Sequence, residues 1–180
     1  MSHTTETERL LLRPMHAKDQ QGSLTVFGDE RVLAAFAAEP MNDAQMRFWV
    51  EHNLEHQRQY GYDLHTVVLK ATGEIIGDCG LEHMTENRLE AELGYDFRSD
   101  MWGQGLATEA ATAVRDHALA NLGLTRLFSL IRAGKARSRR VAEKVGMTLD
   151  ATVDRCGVSY RVDARNLAPR ARDATETTTS

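Results

Sequence analysis

Residues 102–110 read Trp-Gly-Gln-Gly-Leu-Ala-Thr-Glu-Ala, the stretch of this chain with the most direct chemical meaning. Two glycines one residue apart let a backbone turn tightly and come within contact distance of a ligand. A helix starting there leaves its first amides without intrahelical partners, aimed into the turn. Together these features make an anion site suited to a diphosphate, and it needs no lysine. On spacing alone, an ordinary strand-to-helix turn with glycines for sterics is the alternative. A Walker-type phosphate loop would require Lys-Ser or Lys-Thr after the second glycine, where Leu106-Ala107 stands. A dinucleotide fingerprint would want three glycines in the first strand-to-helix turn of an alternating chain, whereas this turn comes late. Both are disfavoured.

Immediately upstream, residues 89–97 alternate strictly, with Glu90, Glu92 and Asp96 on one face of a strand and Ala91, Leu93, Tyr95 and Phe97 on the other. Such an acidic face suits a cationic ligand, or is simply solvated. Among the seven histidines, His52 and His56 lie four apart. On a helix they would share a face, and with Glu55 they read as the H-x-x-E-H zinc pattern. No third ligand is singled out, so a partly solvated helix face and no metal are expected. Cys79 sits in an apolar strand and reads as core rather than nucleophile. Arg137, Arg139, Arg140 and Lys144 read as a solvated helix face, although such a run could meet a phosphate.

The elements around these residues follow from periodicity. A short buried strand over residues 8–13 is closed by Pro14. Between residues 17 and 60 the period turns helical, with Val32, Leu33 and Phe36 on one stripe and Met46, Trp49, Val50 and Leu54 on another. Asn42 or Asp43 is the expected N-cap of the second helix and Gly61 its stop. A hairpin follows through Thr66–Leu69 and residues 75–81 with a Thr72-Gly73 turn, then the acidic strand, a helix over 107–120, a strand over 126–131, a helix over 136–145 and two short strands. The strand-helix-strand unit around the glycine turn predicts a parallel pair by right-handed crossover.

With 180 residues, 42% of them hydrophobic, one domain over residues 1–167 is expected, and the polar stretch 168–180 is expected to be a frayed tail. A net charge of -4 argues against nucleic acid as a partner. No apolar run approaches the ~18 residues of a membrane span. Two cysteines without metal-like spacing fit a reducing, cytoplasmic setting.

Five segments in order resemble the GNAT acetyltransferases, particularly the RimJ/RimL-like branch that acetylates protein N-termini and small amines. They are residues 7–14 (Thr-Glu-Arg-Leu-Leu-Leu-Arg-Pro), 73–77 (Gly-Glu-Ile-Ile-Gly), 92–95 (Glu-Leu-Gly-Tyr), the 102–110 turn, and 138–146 (Ser-Arg-Arg-Val-Ala-Glu-Lys-Val-Gly). The likeness spans about residues 5–162. It implies an α/β fold of α+β type: a mixed, mostly antiparallel sheet of six to seven strands flanked by about four helices, splayed between its fourth and fifth strands. Acetyl-CoA, as co-substrate, is implied to enter that opening. The amides of Gln104, Gly105, Leu106, Ala107 and Thr108 would hold its pyrophosphate, and the backbone of Leu93 and Tyr95 would pair with its pantetheine as an added strand.

The implied reaction passes an acetyl group directly to a primary amine, a peptide N-terminus or a small molecule. An alkylammonium must lose a proton before its nitrogen attacks, and the departing thiolate benefits from a donor. By the resemblance Glu92 is the base. The family's usual donor tyrosine is replaced here by Ala142, which leaves Ser138 as the donor. Lys135 stands where the family carries an asparagine and is positioned to reach cofactor phosphate or carbonyl groups. That departure keeps a non-catalytic acyl-CoA-binding or regulatory module as the alternative. No metal, nucleic acid or membrane partner is implied, and a homodimer is compatible with the resemblance.

Overall fold

The computed structural model describes residues 3–34, 36 and 38–167. The expected tail, 168–180, lies outside the described residues. Eight strands form one sheet: β1 (Thr5–Glu6), β2 (Leu10–Arg13), β3 (Leu64–Leu69), β4 (Ile75–Glu82), β5 (Glu90–Phe97), β6 (Arg126–Arg132), β7 (Thr148–Arg155) and β8 (Val158–Asn166). Their order is β1-β2-β3-β4-β5-β6-β8-β7. Every neighbouring pair is antiparallel except β5 and β6. The helices are α1 (Gln20–Phe27), α2 (Glu30–Leu33), α3 (Asp43–Tyr60), α4 (Leu106–His117) and α5 (Ala136–Lys144). This is the mixed, mostly antiparallel architecture expected, with a two-residue β1 added to the seven strands legible from periodicity.

Local chemistry explains the ends of α3. The Asn42 side chain accepts from the Gln45 amide at 3.0 Å while Gln45 returns the bond to the Asn42 amide at 3.0 Å, a reciprocal box satisfying two otherwise orphaned donors. At the far end Gly61 takes φ +81, a left-handed stop open to glycine at little steric cost.

Two apolar layers sandwich the sheet. On one face Leu10, Leu12, Val67, Cys79, Leu81, Ala91 and Leu93 pack with Leu106, Ala110 and Ala111 of α4. On the other, Leu64 packs with Val26 and Phe27 of α1 and Met46 and Val50 of α3. Burying each large aliphatic side chain contributes about 1.5–3 kcal/mol, which fixes α4 on one side of β5 and α1 with α3 on the other.

β5 and β6 pair only through Glu90↔Arg126, Ala91↔Leu127 and Glu92↔Phe128. Beyond that point β5 stays with β4 as far as Phe97, and β6 stays with β8 as far as Arg132. The sheet therefore opens between its fourth and fifth strands after β1, with Glu92 and Phe128 at the apex.

Candidate active site

The glycine turn sits at the wide end of that opening. Gly103 and Gly105 both have left-handed φ, +78 and +79, and α4 begins at Leu106. Gly105 is the N-cap residue and has no side chain with which to cap the helix; the first backbone bond runs from the Glu109 amide to the Gly105 carbonyl at 3.0 Å. The amides at the start of α4 consequently lack intrahelical acceptors, and the helix dipole adds positive character there. Leu106 turns its side chain into the core, Ala107 and Thr108 are half-buried, and Gln104 and Gly105 are exposed.

Contacts from distant segments fix this turn. Glu109 accepts from the Arg9 amide at 2.9 Å, from Arg9 Nε at 2.7 Å and from the Thr7 hydroxyl, and a second Arg9 nitrogen donates to the Gln104 carbonyl at 2.9 Å. Trp102 donates its indole N–H to the Phe97 carbonyl at 2.8 Å. The Arg137 guanidinium, from the start of α5, lies 4.1 Å from the Trp102 ring centroid, a cation–π contact bridging the two sides of the opening. Arg137 is thus more than a solvated charge. The Arg9–Glu109 tie was invisible in the sequence because its partners are a hundred residues apart.

Along the opening, the unpaired edge of β5 is main chain. Ser129 of β6 donates its hydroxyl to the Leu93 carbonyl at 2.7 Å, so Leu93 faces away from β4. By the two-residue alternation of an antiparallel ladder, Tyr95 presents its main chain on the same edge. The Tyr95 side chain crosses to α5, where its hydroxyl donates to the Ser138 carbonyl at 2.8 Å. Burial pushes the Tyr95 phenol well above its ordinary range. Ser138 is half-buried near the start of α5, and its own hydroxyl has no hydrogen-bond partner among the described residues. Lys135 points elsewhere, donating to the Ala34 carbonyl at 3.1 Å, and burial together with Arg132 and Arg137 lowers its pKa.

Glu92 stands at the apex. Its carboxylate accepts from the Leu130 amide of β6 at 3.2 Å, taking the place a continuing parallel ladder would occupy. Burial pushes its pKa up to about 7, the Leu130 bond pulls against that shift, and the neighbouring Glu82 charge adds to it. The other acids of that strand face divide. Glu90 pairs with Arg126 at 2.9 Å, whereas Asp96 lies opposite Asp78 and is raised to about 7, chiefly by burial and then by Glu82. Sequence reading missed Asp63, Asp78 and Glu82 because the strand register that gathers them is a tertiary fact. Of the zinc pattern, His56 is engaged otherwise, with Nδ1 3.0 Å from the Tyr62 carbonyl and Nε2 accepting the His83 amide at 2.9 Å. Among the described residues no group of three or more His, Cys, Asp or Glu could hold a metal ion.

Residues 9–148 match the model of the acetyltransferase (GNAT) domain family. The chain belongs to the GNAT family. Its chemistry at that level is acetyl-CoA-dependent acetyl transfer. It is 35% identical over 149 residues to the Bacillus subtilis protein YkkB, covering 82% of this chain and 86% of that one. An acetyltransferase from Agrobacterium tumefaciens is 30% identical, with TM-score 0.77, covering 91% of this chain and 94% of that one. A ribosomal L7/L12 alpha-N-protein acetyltransferase, RimL, solved in complex with coenzyme A, shares the fold with TM-score 0.79 at 17% identity, covering 92% of this chain and 98% of that one. Among the described residues no helix is long and apolar enough to cross a membrane.

Proposed function

We propose that this protein transfers acetyl from acetyl-CoA to the primary amine of a peptide N-terminus or small molecule by direct attack, with Glu92 as base and Ser138 as proton donor. The observation that carries the reading is the half-buried Glu92 carboxyl at the apex of the opening, hydrogen-bonded to Leu130 and flanked by an unpaired main-chain edge. The amides of Gln104, Gly105, Leu106, Ala107 and Thr108 hold the pyrophosphate, which suits an uncapped helix start. Leu93 and Tyr95 take the pantetheine as an added strand. Bound acetyl-CoA supplies an activated thioester. The attacking ammonium gives one proton to Glu92 directly or through water, and its nitrogen bonds to the thioester carbon. The C–S bond then breaks, and the sulfur takes a proton from Ser138. The second proton lost by the nitrogen restores the serine, and Glu92 releases its proton to solvent.

The five ordered segments, from residues 7–14 to residues 138–146, are what suggest the RimJ/RimL-like branch, and free Cys79 and Cys156 are in keeping with a reducing cytoplasm. Lys135, just before α5 and with its ammonium donating to the Ala34 carbonyl, is the side chain placed to reach cofactor phosphate or carbonyl groups. A free-thiol assay across peptide and small-amine libraries tests the proposal. Thiol release that depends on amine and collapses in Glu92→Gln, with acetyl-CoA affinity retained, is expected. Acetyl-CoA binding without thiol release for any amine would leave the non-catalytic module standing instead.

A further inference from the structure

Glu109 is an unexpected residue beside an anion site. It lies in the first turn of α4, and a carboxylate there opposes a diphosphate bound at the helix start. Its charge is met by Arg9, from the turn between β1 and β2. The Arg9 amide donates to Glu109 Oε1 at 2.9 Å, and Nε and one terminal nitrogen each reach Oε2 at 2.7 Å. Thr7 of the same turn adds its hydroxyl. One carboxylate thus fixes both the main chain and the side chain of Arg9. The guanidinium in turn lies over Gly105, 3.7 Å from where a Cβ would stand, and its other terminal nitrogen donates to the Gln104 carbonyl at 2.9 Å.

That last bond decides which way a peptide faces. The peptide joining Gln104 and Gly105 is trans, so its C=O and N–H point in opposite directions. With the carbonyl held by Arg9, the Gly105 N–H is turned away from Arg9, and it donates to no acceptor among the described residues. Gly105 has φ +79 and ψ 2, the dihedrals of the third residue of a type II turn. The commoner type I turn differs from it by a half-turn of this one peptide, and glycine accepts either sign of φ. The freedom that lets the turn form therefore also lets it invert, which would set a carbonyl where the amide had been and repel an anion. Other contacts leave that peptide free: the Trp102 indole is tied to the Phe97 carbonyl, and the Gln104 side-chain amide to the Asp100 carbonyl.

We infer that Arg9 is the positioning residue of the diphosphate site: braced by Glu109, it holds the Gln104 carbonyl and so keeps the Gly105 N–H presented to the cofactor. This rests on the assignment of residues 104–108 to the pyrophosphate. Arg9 acts through the peptide rather than on the phosphates. Lysine does not replace it, because a single ammonium cannot span the carboxylate and the carbonyl in one fixed plane. Glu109 acts with it, favouring an anion through geometry while opposing it through charge.

The test is calorimetric titration of acetyl-CoA, with steady-state turnover of acetyl-CoA and of S-acetylpantetheine, which lacks the diphosphate. Arg9→Gln and Arg9→Lys should both raise the acetyl-CoA Kd and KM by at least about tenfold, the effect of losing one hydrogen bond made by a charged group. In both variants kcat at saturating acetyl-CoA, and kcat/KM for S-acetylpantetheine, should stay within about threefold of wild type. Glu109→Gln gives a test by sign: removing a negative charge beside an anion tightens binding on Coulomb grounds alone, whereas losing the brace should weaken it by about fivefold or more. Three results overturn the inference while leaving acetyl transfer intact. Wild-type affinity in Arg9→Lys would reduce Arg9 to a counter-charge, tighter binding in Glu109→Gln would make it a phosphate ligand, and equal losses with S-acetylpantetheine would make the tie a matter of stability. Titration needs no amine, so absence of thiol from every amine removes the transfer reading and leaves the affinity comparison standing. A wild type that binds no acetyl-CoA overturns both.

Discussion

Replacing Glu92 by glutamine should make the protein more stable and less active at once, and the size of the first effect can be worked from the site. Burial holds the Glu92 proton up to about 7, against an ordinary 4.5, with the Leu130 amide opposing and Glu82 reinforcing the shift. Between those two pH values the folded protein retains a proton that the unfolded chain has lost, so raising the pH through the window favours unfolding. Each pH unit of that gap corresponds to about 1.4 kcal/mol, giving at most roughly 3 kcal/mol of stability forgone by wild type at pH 8. Glutamine removes the charge and keeps an acceptor for Leu130. A gain of about 1–3 kcal/mol is expected at pH 8, or about 3–10 °C in Tm for a chain of this size, shrinking to nothing near pH 4 where both states are protonated. Turnover should fall about 100- to 10,000-fold, as for loss of a general base, and wild-type kcat/KM should rise with pH through about 7 as the carboxylate forms. Thermal unfolding across pH and thiol release measure the two effects. A Tm at pH 8 that falls, a Tm difference independent of pH, or turnover within a few-fold of wild type would refute the reasoning.

Gly105→Ala places a side chain at φ +79 where α4 begins, at a cost of about 1–2 kcal/mol. Calorimetric titration should show acetyl-CoA binding weakened by about tenfold, and an unchanged Kd would count against the pyrophosphate assignment. Ser138→Ala should lower kcat by about 10- to 100-fold with little change in acetyl-CoA Kd; a loss confined to KM would make the serine a binding residue instead. Ser129→Ala strips the Leu93 carbonyl of its partner in the free protein, a loss of about 1 kcal/mol that a bound pantetheine amide would offset. Acetyl-CoA should then bind about fivefold tighter, and weaker or equal binding would mean that Leu93 is not the pantetheine acceptor.

The features legible in the sequence are those set by neighbours in the chain. Asn42 and Gln45 declare the start of α3 and Gly61 its end, and the alternation of residues 90–97 declares a two-faced strand whatever lies beside it. The helix after Gly105 was legible for the same reason, though it relaxes from Ala118 to Leu122 into a wider π turn that periodicity does not announce. β1 is two residues long and exists only because Thr5 and Glu6 pair with Leu12 and Leu11. β7 and β8 were expected to be short, yet they run for eight and nine residues. β7 alternates Leu149, Ala151 and Val153 with polar residues yet is exposed along nearly its whole length, and its extent comes from the ladder with β8. The acids show the limit most clearly. Glu92 and Asp96 were readable as one face of a strand, but their meeting with Glu82 and Asp78 depends on a register that no local rule supplies.

The anion site, by contrast, is built from amides. A pyrophosphate could be held by lysines, but long flexible side chains lose rotamer freedom when fixed on an anion. Fixed main-chain N–H groups at the start of α4 attract an anion without that freedom, because the helix sets their direction. The nearby side-chain cations are correspondingly occupied: Arg9 by Glu109 and the Gln104 carbonyl, Arg137 by the Trp102 ring, and Lys135 by the Ala34 carbonyl. On the proposed reading, this arrangement lets one opening hold a polyanionic cofactor on main chain while the Glu92 carboxyl at its apex is left for the incoming amine.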